Sequence, residues 1–304
     1  MPDPELEGYP LAGALRAATA RLRDAGIDGG RADAVALAAH LLEVEPGEVE
    51  RRAILGAATP AGFDELLARR VARVPLQHLT GVAPFRHVVL SVGPGVFTPR
   101  PETEVLVGLA LEALDALDAR DAGGSDGARV VDLCTGSGAI AVSIALERPT
   151  ARVGAVELSP QAHAYARANV EALAAAVDLR LGDATTAFGE LDGTVDVVAT
   201  NPPYIPDGAI PIDPEVALHD PALALYGGGD GLELPMRLVA RAAALLRPGG
   251  VLLVEHGERQ GEDLVARLAA TGAWVEITDH EDLTGRPRVL RAVRATGSPV
   301  DSNA

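Results

Sequence analysis

Two spacings of apolar residues divide the chain. From residue 11 to about residue 72, apolar side chains recur every three or four positions, which predicts helices with one buried face. Leu11, Leu15, Ala18 and Leu22 share such a face, and Val35, Leu37, Ala38, Leu41 and Leu42 mark a second helix. Pro46 opens a short third one through Val49 and Ile54. Thr59-Pro60 reads as an N-cap with proline at the first helical position, ahead of Phe63, Leu66, Leu67 and Val71. Gly26, Gly29-Gly30 and Gly47 punctuate these segments. The expectation is a small helical domain over residues 1–75.

The pattern then changes. Gly81, Pro84, Gly93, Pro94, Gly95 and Pro99 surround the run from Phe85 to Val92, which reads as a hairpin in a linker over 76–99. Arg100-Pro101-Glu102-Thr103-Glu104 opens a helix through Val105, Leu106, Leu109 and Leu114. Asp121 to Gly127 reads as a flexible loop. From residue 128 onward, seven strands are expected at 129–133, 152–157, 177–181, 195–200, 250–255, 273–278 and 288–294. Helices are expected between them at 138–147, 160–175, 232–246 and 259–271. Such alternation predicts an α/β domain over 100–294, with a mostly parallel sheet covered on both faces. The last two strands lack a full intervening helix, so the final strand is expected to run antiparallel. There is no internal repeat. Residues 295–304 read as a polar, disordered tail.

Composition narrows the function classes. The chain has 304 residues and a net charge of −17. Nucleic-acid binders usually need a basic face, so this balance disfavours a role in tracking phosphates. Its one cysteine, Cys134, cannot form an internal disulfide, and no Cys/His cluster has metal-ligand spacing. The acidic start, Met1-Pro2-Asp3-Pro4-Glu5, has no apolar core of a signal peptide. No apolar run is long enough to span a bilayer. The expectation is a cytoplasmic protein with no metal.

Two motifs carry the chemistry. The first runs from Arg129 through Cys134-Thr135-Gly136-Ser137-Gly138 to Ala141: a strand, a glycine-containing turn and a helix. Gly136 and Gly138 let the backbone approach a ligand and adopt positive φ. The helix start beyond them offers free N–H groups. Glu157 ends the next strand, where a carboxylate can hold both hydroxyls of a ribose; its alternative role is to complement the following helix N-terminus. Gly136 and Gly138 with Ala141 also satisfy a variant of the dinucleotide fingerprint, so spacing alone does not exclude NAD. Gly182-Asp183 after the third strand and Asn201 after the fourth shift the balance. Polar groups at four successive strand ends suit an adenosine-plus-amino-acid cofactor. Asp183 is placed to accept from an adenine amine, or is an ordinary loop acid.

The second motif is Asn201-Pro202-Pro203-Tyr204, at the mouth of the apolar run Val195 to Thr200. Consecutive prolines fix φ twice and remove two N–H donors, leaving a stiff turn rich in acceptors beside an aromatic ring. That cluster suits a planar NH2 group. Taken alone it is also a common turn with a core tyrosine.

Together these residues resemble the class I S-adenosylmethionine-dependent methyltransferases. More narrowly, they are similar to the HemK/PrmC family of protein N5-glutamine methyltransferases, which act on peptide chain release factors. The resemblance spans about residues 11 to 294. It includes Pro75 to Gly81, Phe97-Thr-Pro-Arg-Pro-Glu-Thr-Glu104, Glu215 to Asp220, Gly227-Gly-Gly-Asp-Gly-Leu232, Leu246-Arg-Pro-Gly-Gly250 and Asp282-Leu-Thr-Gly-Arg286. It implies a Rossmann-like seven-stranded sheet and S-adenosyl-L-methionine as cofactor. Cys134, Thr135, Gly136, Ser137, Gly138, Glu157, Asp183, Ala184 and Asn201 would hold that cofactor. Asn201, Pro202, Pro203 and Tyr204 would hold the substrate amide, with Asn201, Pro202 and Tyr204 catalytic. The implied partner is a release factor whose Gly-Gly-Gln loop enters the site, clamped with help from the N-terminal helices.

Three departures stand out. Cys134 replaces a common glycine and reads as a small buried filler. Glu157 replaces a commoner Asp. Ala184 stands where an aromatic often caps the adenine. Arg100 reads as a structural cation close to the site. Three other readings compete: methylation of a ribosomal-protein glutamine, N6-methylation of adenine in DNA, and a cofactor-binding module without activity.

Overall fold

The computed structural model describes residues 8–120 and 127–297. The acidic start, most of the loop expected at 121–127, and the tail from 298 lie outside these residues. Five helices come first: α1 (Leu11–Asp24), α2 (Gly30–Leu42), α3 (Pro46–Ile54), α4 (Phe63–Val71) and α5 (Leu76–Thr80). A hairpin of β1 (Val82–Phe85) and β2 (Val88–Ser91) precedes α6 (Thr103–Arg120). Then come β3 (Arg129–Leu133), α7 (Ala139–Glu147), β4 (Arg152–Glu157), α8 (Pro160–Ala172), β5 (Val177–Leu181) and β6 (Val195–Thr200). The chain continues through α9 (Pro214–His219), α10 (Glu233–Leu245), β7 (Leu246–Glu255), α11 (Gly261–Ala270), β8 (Trp274–Glu281) and β9 (Pro287–Arg294). Among the described residues, no helix is long and apolar enough to cross a membrane.

The chain divides into two units, one ending at Val82 but also taking Pro211–His219, the other formed by the rest. In the helical unit, the face of Leu11, Leu15, Ala18 and Leu22 packs with Leu37, Ala38, Val49, Phe63 and Leu67. Gly30 lets α2 start hard against α1, because a Cβ there would sit 3.0 Å from the Leu22 Cβ. The segment 211–219 is fastened by buried charges. Arg70 donates to Asp33 and to Glu215, each at 2.7 Å, and Arg73 donates to the other Glu215 oxygen at 2.6 Å. One expectation fails locally. Thr59 does not cap α4; its hydroxyl donates to the Tyr9 carbonyl, and the helix begins after Gly62, whose φ of +83° turns the chain.

In the second unit, seven strands form one sheet in the order β5-β4-β3-β6-β7-β9-β8. All neighbours pair in parallel until β9, which runs against both β7 and β8. This is the expected seven-stranded Rossmann-like sheet with its last strand reversed. Alternate residues go to opposite faces. Val130, Val153, Val197, Val251 and Leu253 pack with α6 and α7, whereas Val131, Leu133, Val198, Leu252 and Val254 pack with α10 and α11. Ser159 caps α8 by accepting from the Ala162 N–H at 3.2 Å, with Pro160 at the first helical position. Strands β3, β4 and β5 build the sheet in one direction and β6 starts the other. The C-terminal ends of β5, β4, β3 and β6 therefore lie side by side at a topological switch point, where open α/β sheets bind ligands.

Candidate active site

The first corner of the site is the turn between β3 and α7. Gly136 and Gly138 have φ of +58° and +87°, and a Cβ on Gly136 would meet nothing within 4 Å. Cys134 also has positive φ, +63°, a conformation that favours glycine; a side chain there costs roughly 1–3 kcal/mol of backbone strain. Burial pushes the Cys134 thiol well above its usual range, in keeping with a filler and not a nucleophile. Glu157 braces the turn: its Oε2 accepts from the Gly136 N–H and its Oε1 from the Ser159 N–H, both at 2.8 Å. Each oxygen keeps a second lone pair for a further donor.

Beneath the turn lies Asp132, fully buried. Its Oδ2 accepts from the Thr135 hydroxyl at 2.6 Å and the Ala141 N–H at 3.2 Å. Its Oδ1 has no partner among the described residues. Burial raises its pKa to about 7. Ser137 is held from behind: its carbonyl accepts from Asn169 Nδ2 at 2.9 Å, and Asn169 also pairs with both backbone groups of Ser91. Leu158, next to Glu157, is 52% exposed, an apolar surface at the end of an otherwise buried strand.

Asp183 is exposed, and its Oδ1 accepts from the hydroxyl and N–H of Thr185, at 2.7 and 2.8 Å. Those bonds hold its carboxyl below the ordinary range. Ala184 is buried in the core with Val156 and Phe188, so it has only its backbone to offer a ligand.

The second corner follows β6. Thr200 ties its end to β3 by donating to the Leu133 carbonyl at 2.6 Å. Pro202 and Pro203 are buried. Asn201 Nδ2 donates to Thr103 Oγ1 at 3.2 Å, and Thr103 donates to Glu255 Oε2 at 2.7 Å. Thr103 and Glu255 are both buried. Burial raises the Glu255 pKa to about 7, against the opposing bond from Thr103. Burial likewise raises the Tyr204 phenol, helped by the nearby Glu255 charge.

The corner is backed by glycines. A Cβ on Gly227 would sit 2.4 Å from the Pro203 carbonyl oxygen, and one on Gly231 would sit 2.3 Å from that of Tyr204. Gln260 donates to the Tyr204 carbonyl at 2.8 Å while accepting from the Gly257 N–H.

The structure thus places all the expected residues at adjoining strand ends, with Asp132 of the first motif near the end of β3, and adds Thr103, Glu255, Gly227, Gly231 and Gln260. Their roles were not read from the chain, although Thr103, Gly227 and Gly231 sit in motifs that were. Arg100 pairs with the buried Asp220 carboxylate at 3.0 Å, and its guanidinium lies 5.1 Å from the Phe97 ring centre, as a structural cation would. Among the described residues, no group of three or more His, Cys, Asp or Glu could hold a metal ion.

The unit that holds the glycine turn and the acceptor corner is of the methyltransferase class: residues 103–214 match the family model for the methyltransferase small domain. Residues 13–81 match the model for the PrmC N-terminal domain. A release factor glutamine methyltransferase of Streptomyces coelicolor is 48% identical over 279 residues, covering 91% of this chain and 96% of that protein. One from Mycolicibacterium smegmatis is 46% identical over 287 residues, covering 94% and 98%. A 4-amino-L-phenylalanine/4-methylamino-L-phenylalanine methyltransferase of Streptomyces pristinaespiralis is 45% identical over 266 residues, covering 87% and 89%. The chain is an enzyme that belongs to the release factor glutamine methyltransferase family.

Proposed function

We propose that this enzyme transfers a methyl group from S-adenosyl-L-methionine to the side-chain amide nitrogen (N5) of the glutamine in the Gly-Gly-Gln motif of peptide chain release factors, in the cytoplasm. One observation carries the reading. The Asn201 NH2 is spent on Thr103, so its Oδ1 is the free end of the amide, in a corner where proline has removed backbone donors. That corner calls for a ligand with N–H hydrogens to give.

The residues of the first corner fit the cofactor. The unpaired Asp132 Oδ1 leaves a buried acceptor for a cationic group. Glu157 keeps lone pairs for hydroxyls, and Gly136 leaves open space where a side chain would stand. Leu158 offers the apolar surface that Ala184 does not. When bound, S-adenosylmethionine supplies an electrophilic methyl on a sulfonium.

The protein's share of the reaction is placement. A glutamine amide nitrogen is a weak nucleophile because its lone pair is delocalised. Asn201 Oδ1 and the Pro202 carbonyl each accept one of its hydrogens, which fixes the nitrogen and enriches it electronically. Holding reactants in a near-attack pose supplies much of the acceleration. Tyr204 stacks on the amide and favours positive charge developing there. The proton leaves after methylation, when the nitrogen has become acidic, so no strong base is required beforehand. The helical unit is proposed to bind the release factor.

A second reading comes from the relative named for 4-amino-L-phenylalanine: an arylamine also presents a planar NH2. The test is to incubate the enzyme with labelled methyl donor and, separately, purified release factor, ribosomes, duplex DNA and 4-amino-L-phenylalanine. Label on the Gly-Gly-Gln glutamine supports the reading; label on any of the others and not there contradicts it.

A further inference from the structure

We propose that Thr103 and Glu255 form an orienting relay that decides which end of the Asn201 amide faces the substrate, with ionised Glu255 as the working state. The inference rests on the methyl-transfer reading above and extends it to two positioning residues.

A threonine hydroxyl has one hydrogen to give. An ionised carboxylate can only accept, so the Thr103 hydrogen goes to Glu255 Oε2, 2.7 Å away. Thr103 Oγ1 can then only accept, and the Asn201 amide must turn its NH2 toward it, at 3.2 Å. The amide oxygen is thereby fixed at the opposite end. A protonated Glu255 reverses the chain of donors. Its own O–H can be given to Thr103, freeing the threonine hydrogen for the Asn201 oxygen. The amide then gains by turning over, and its NH2 meets the substrate NH2, donor against donor. Thr103 is 4% and Glu255 2% exposed, which leaves little room for water to substitute for either.

The surroundings put this choice near neutrality. Burial favours neutral Glu255 most strongly, and the Glu102 charge before α6 adds to it. The Thr103 bond, the Arg288 charge on β9 and a weaker hydrogen bond from the Asn201 side chain itself favour the ion, so the same carboxylate draws the Asn201 NH2 directly as well as through Thr103. Tyr204 lies close enough for its phenol to feel the charge. His256, next along the chain, bonds Asp279 and the Gly257 carbonyl. Burial, with the Glu102 charge, outweighs the opposing groups and raises the Glu255 pKa to about 7.

The test compares Thr103→Val, Thr103→Ser and Glu255→Gln by single-turnover methylation, cofactor-binding calorimetry and thermal unfolding. Thr103→Val should slow methyl transfer by about 10²-fold, the scale for losing one preorganised hydrogen bond, with cofactor affinity held within about threefold. Thr103→Ser, which restores the hydroxyl, should return to within a few-fold of wild type. The wild-type rate should climb through about pH 7, and Glu255→Gln should lose that inflection.

A readout without turnover guards against variants that fail to fold. The Asn201 side-chain NH2 resonances of the wild-type protein should shift with one titration near pH 7. A Thr103→Val enzyme at full rate, equal loss in the Ser and Val variants, or an Asn201 amide that ignores pH would overturn the relay. A wild-type enzyme that leaves release factor unmethylated would sink the substrate assignment instead, and the Asn201 titration would still judge the relay.

Discussion

The two corners of the site are built in opposite ways. The turn at 134–138 is glycine-rich, bends through positive φ at three residues, and has its Gly136 N–H held by Glu157. The turn at 201–204 has no glycine. It is stiffened by two prolines, backed by glycines from another segment, and oriented through Thr103 and Glu255. The first turn leaves open space at Gly136 and is finished by an acid that accepts from its backbone. The second spends its Asn201 NH2 on Thr103, which turns the amide oxygen the other way. On the proposed reading, the C-terminal ends of two neighbouring central strands, β3 and β6, carry a corner for the methyl donor and a corner for the methyl acceptor.

Breaking the two corners should give different failures. Asn201→Ala should lower the methylation rate by about 10²–10³-fold, as when a transition-state hydrogen bond is removed, while cofactor affinity stays nearly unchanged by calorimetry. Loss of both together would make Asn201 a structural residue. Glu157→Ala should do the reverse. Cofactor affinity should weaken about 10–100-fold, since bonds to a charged group contribute about 1.5–3 kcal/mol, and the rate at saturating cofactor should stay near wild type.

Paired glycine substitutions sharpen the contrast. Gly227→Ala drives a Cβ into the Pro203 carbonyl and should cost about 1–3 kcal/mol of stability by denaturant titration, with a loss of rate as the proline corner shifts. Gly136→Ala meets open space and should cost only about 1 kcal/mol, from its positive φ.

The smallest effect is on pH. Asp132 and Glu255 have pKa values near 7 in the folded protein, against 3.8 and 4.5 ordinarily. The folded state therefore binds protons that the unfolded chain has released. Stability should be full below the ordinary carboxylate range and fall as pH rises through about 7, on the order of 1 kcal/mol per unit for each group. Urea midpoints between pH 5 and pH 8 check the sign, and Asp132→Asn should flatten the slope.

The sheet was largely legible in the chain because its strands are apolar runs ended by polar residues. β3 to β6 fall where periodicity puts them. β7 begins at Leu246 and not at 250, because Arg247-Pro-Gly-Gly reads as a turn yet lies within the strand as an irregularity, between Leu246 paired with Val195 and Val251 paired with Val197 on β6. Thr59 misled because threonine before proline looks like a helix cap even when its hydroxyl bonds elsewhere.

In the site, the two turns were legible as local motifs. The relay was not: Thr103 and Glu255 lie 152 residues apart, and each looks locally like a helix start or a strand end. Gly227 and Gly231 were visible as part of a glycine cluster, but only the fold shows the carbonyls they make room for. Segment 211–219 gave no hint that it folds with the helical unit through Arg70, Arg73 and Glu215.

The central claim is that the proline corner grips the glutamine of a Gly-Gly-Gln loop while the glycine turn holds the methyl donor. Mass spectrometry of a release factor after incubation with the enzyme and labelled S-adenosylmethionine tests it most directly. One methyl on the Gly-Gly-Gln glutamine, absent with Asn201→Ala, is the predicted result. A release factor left unlabelled by active, cofactor-binding enzyme would contradict it.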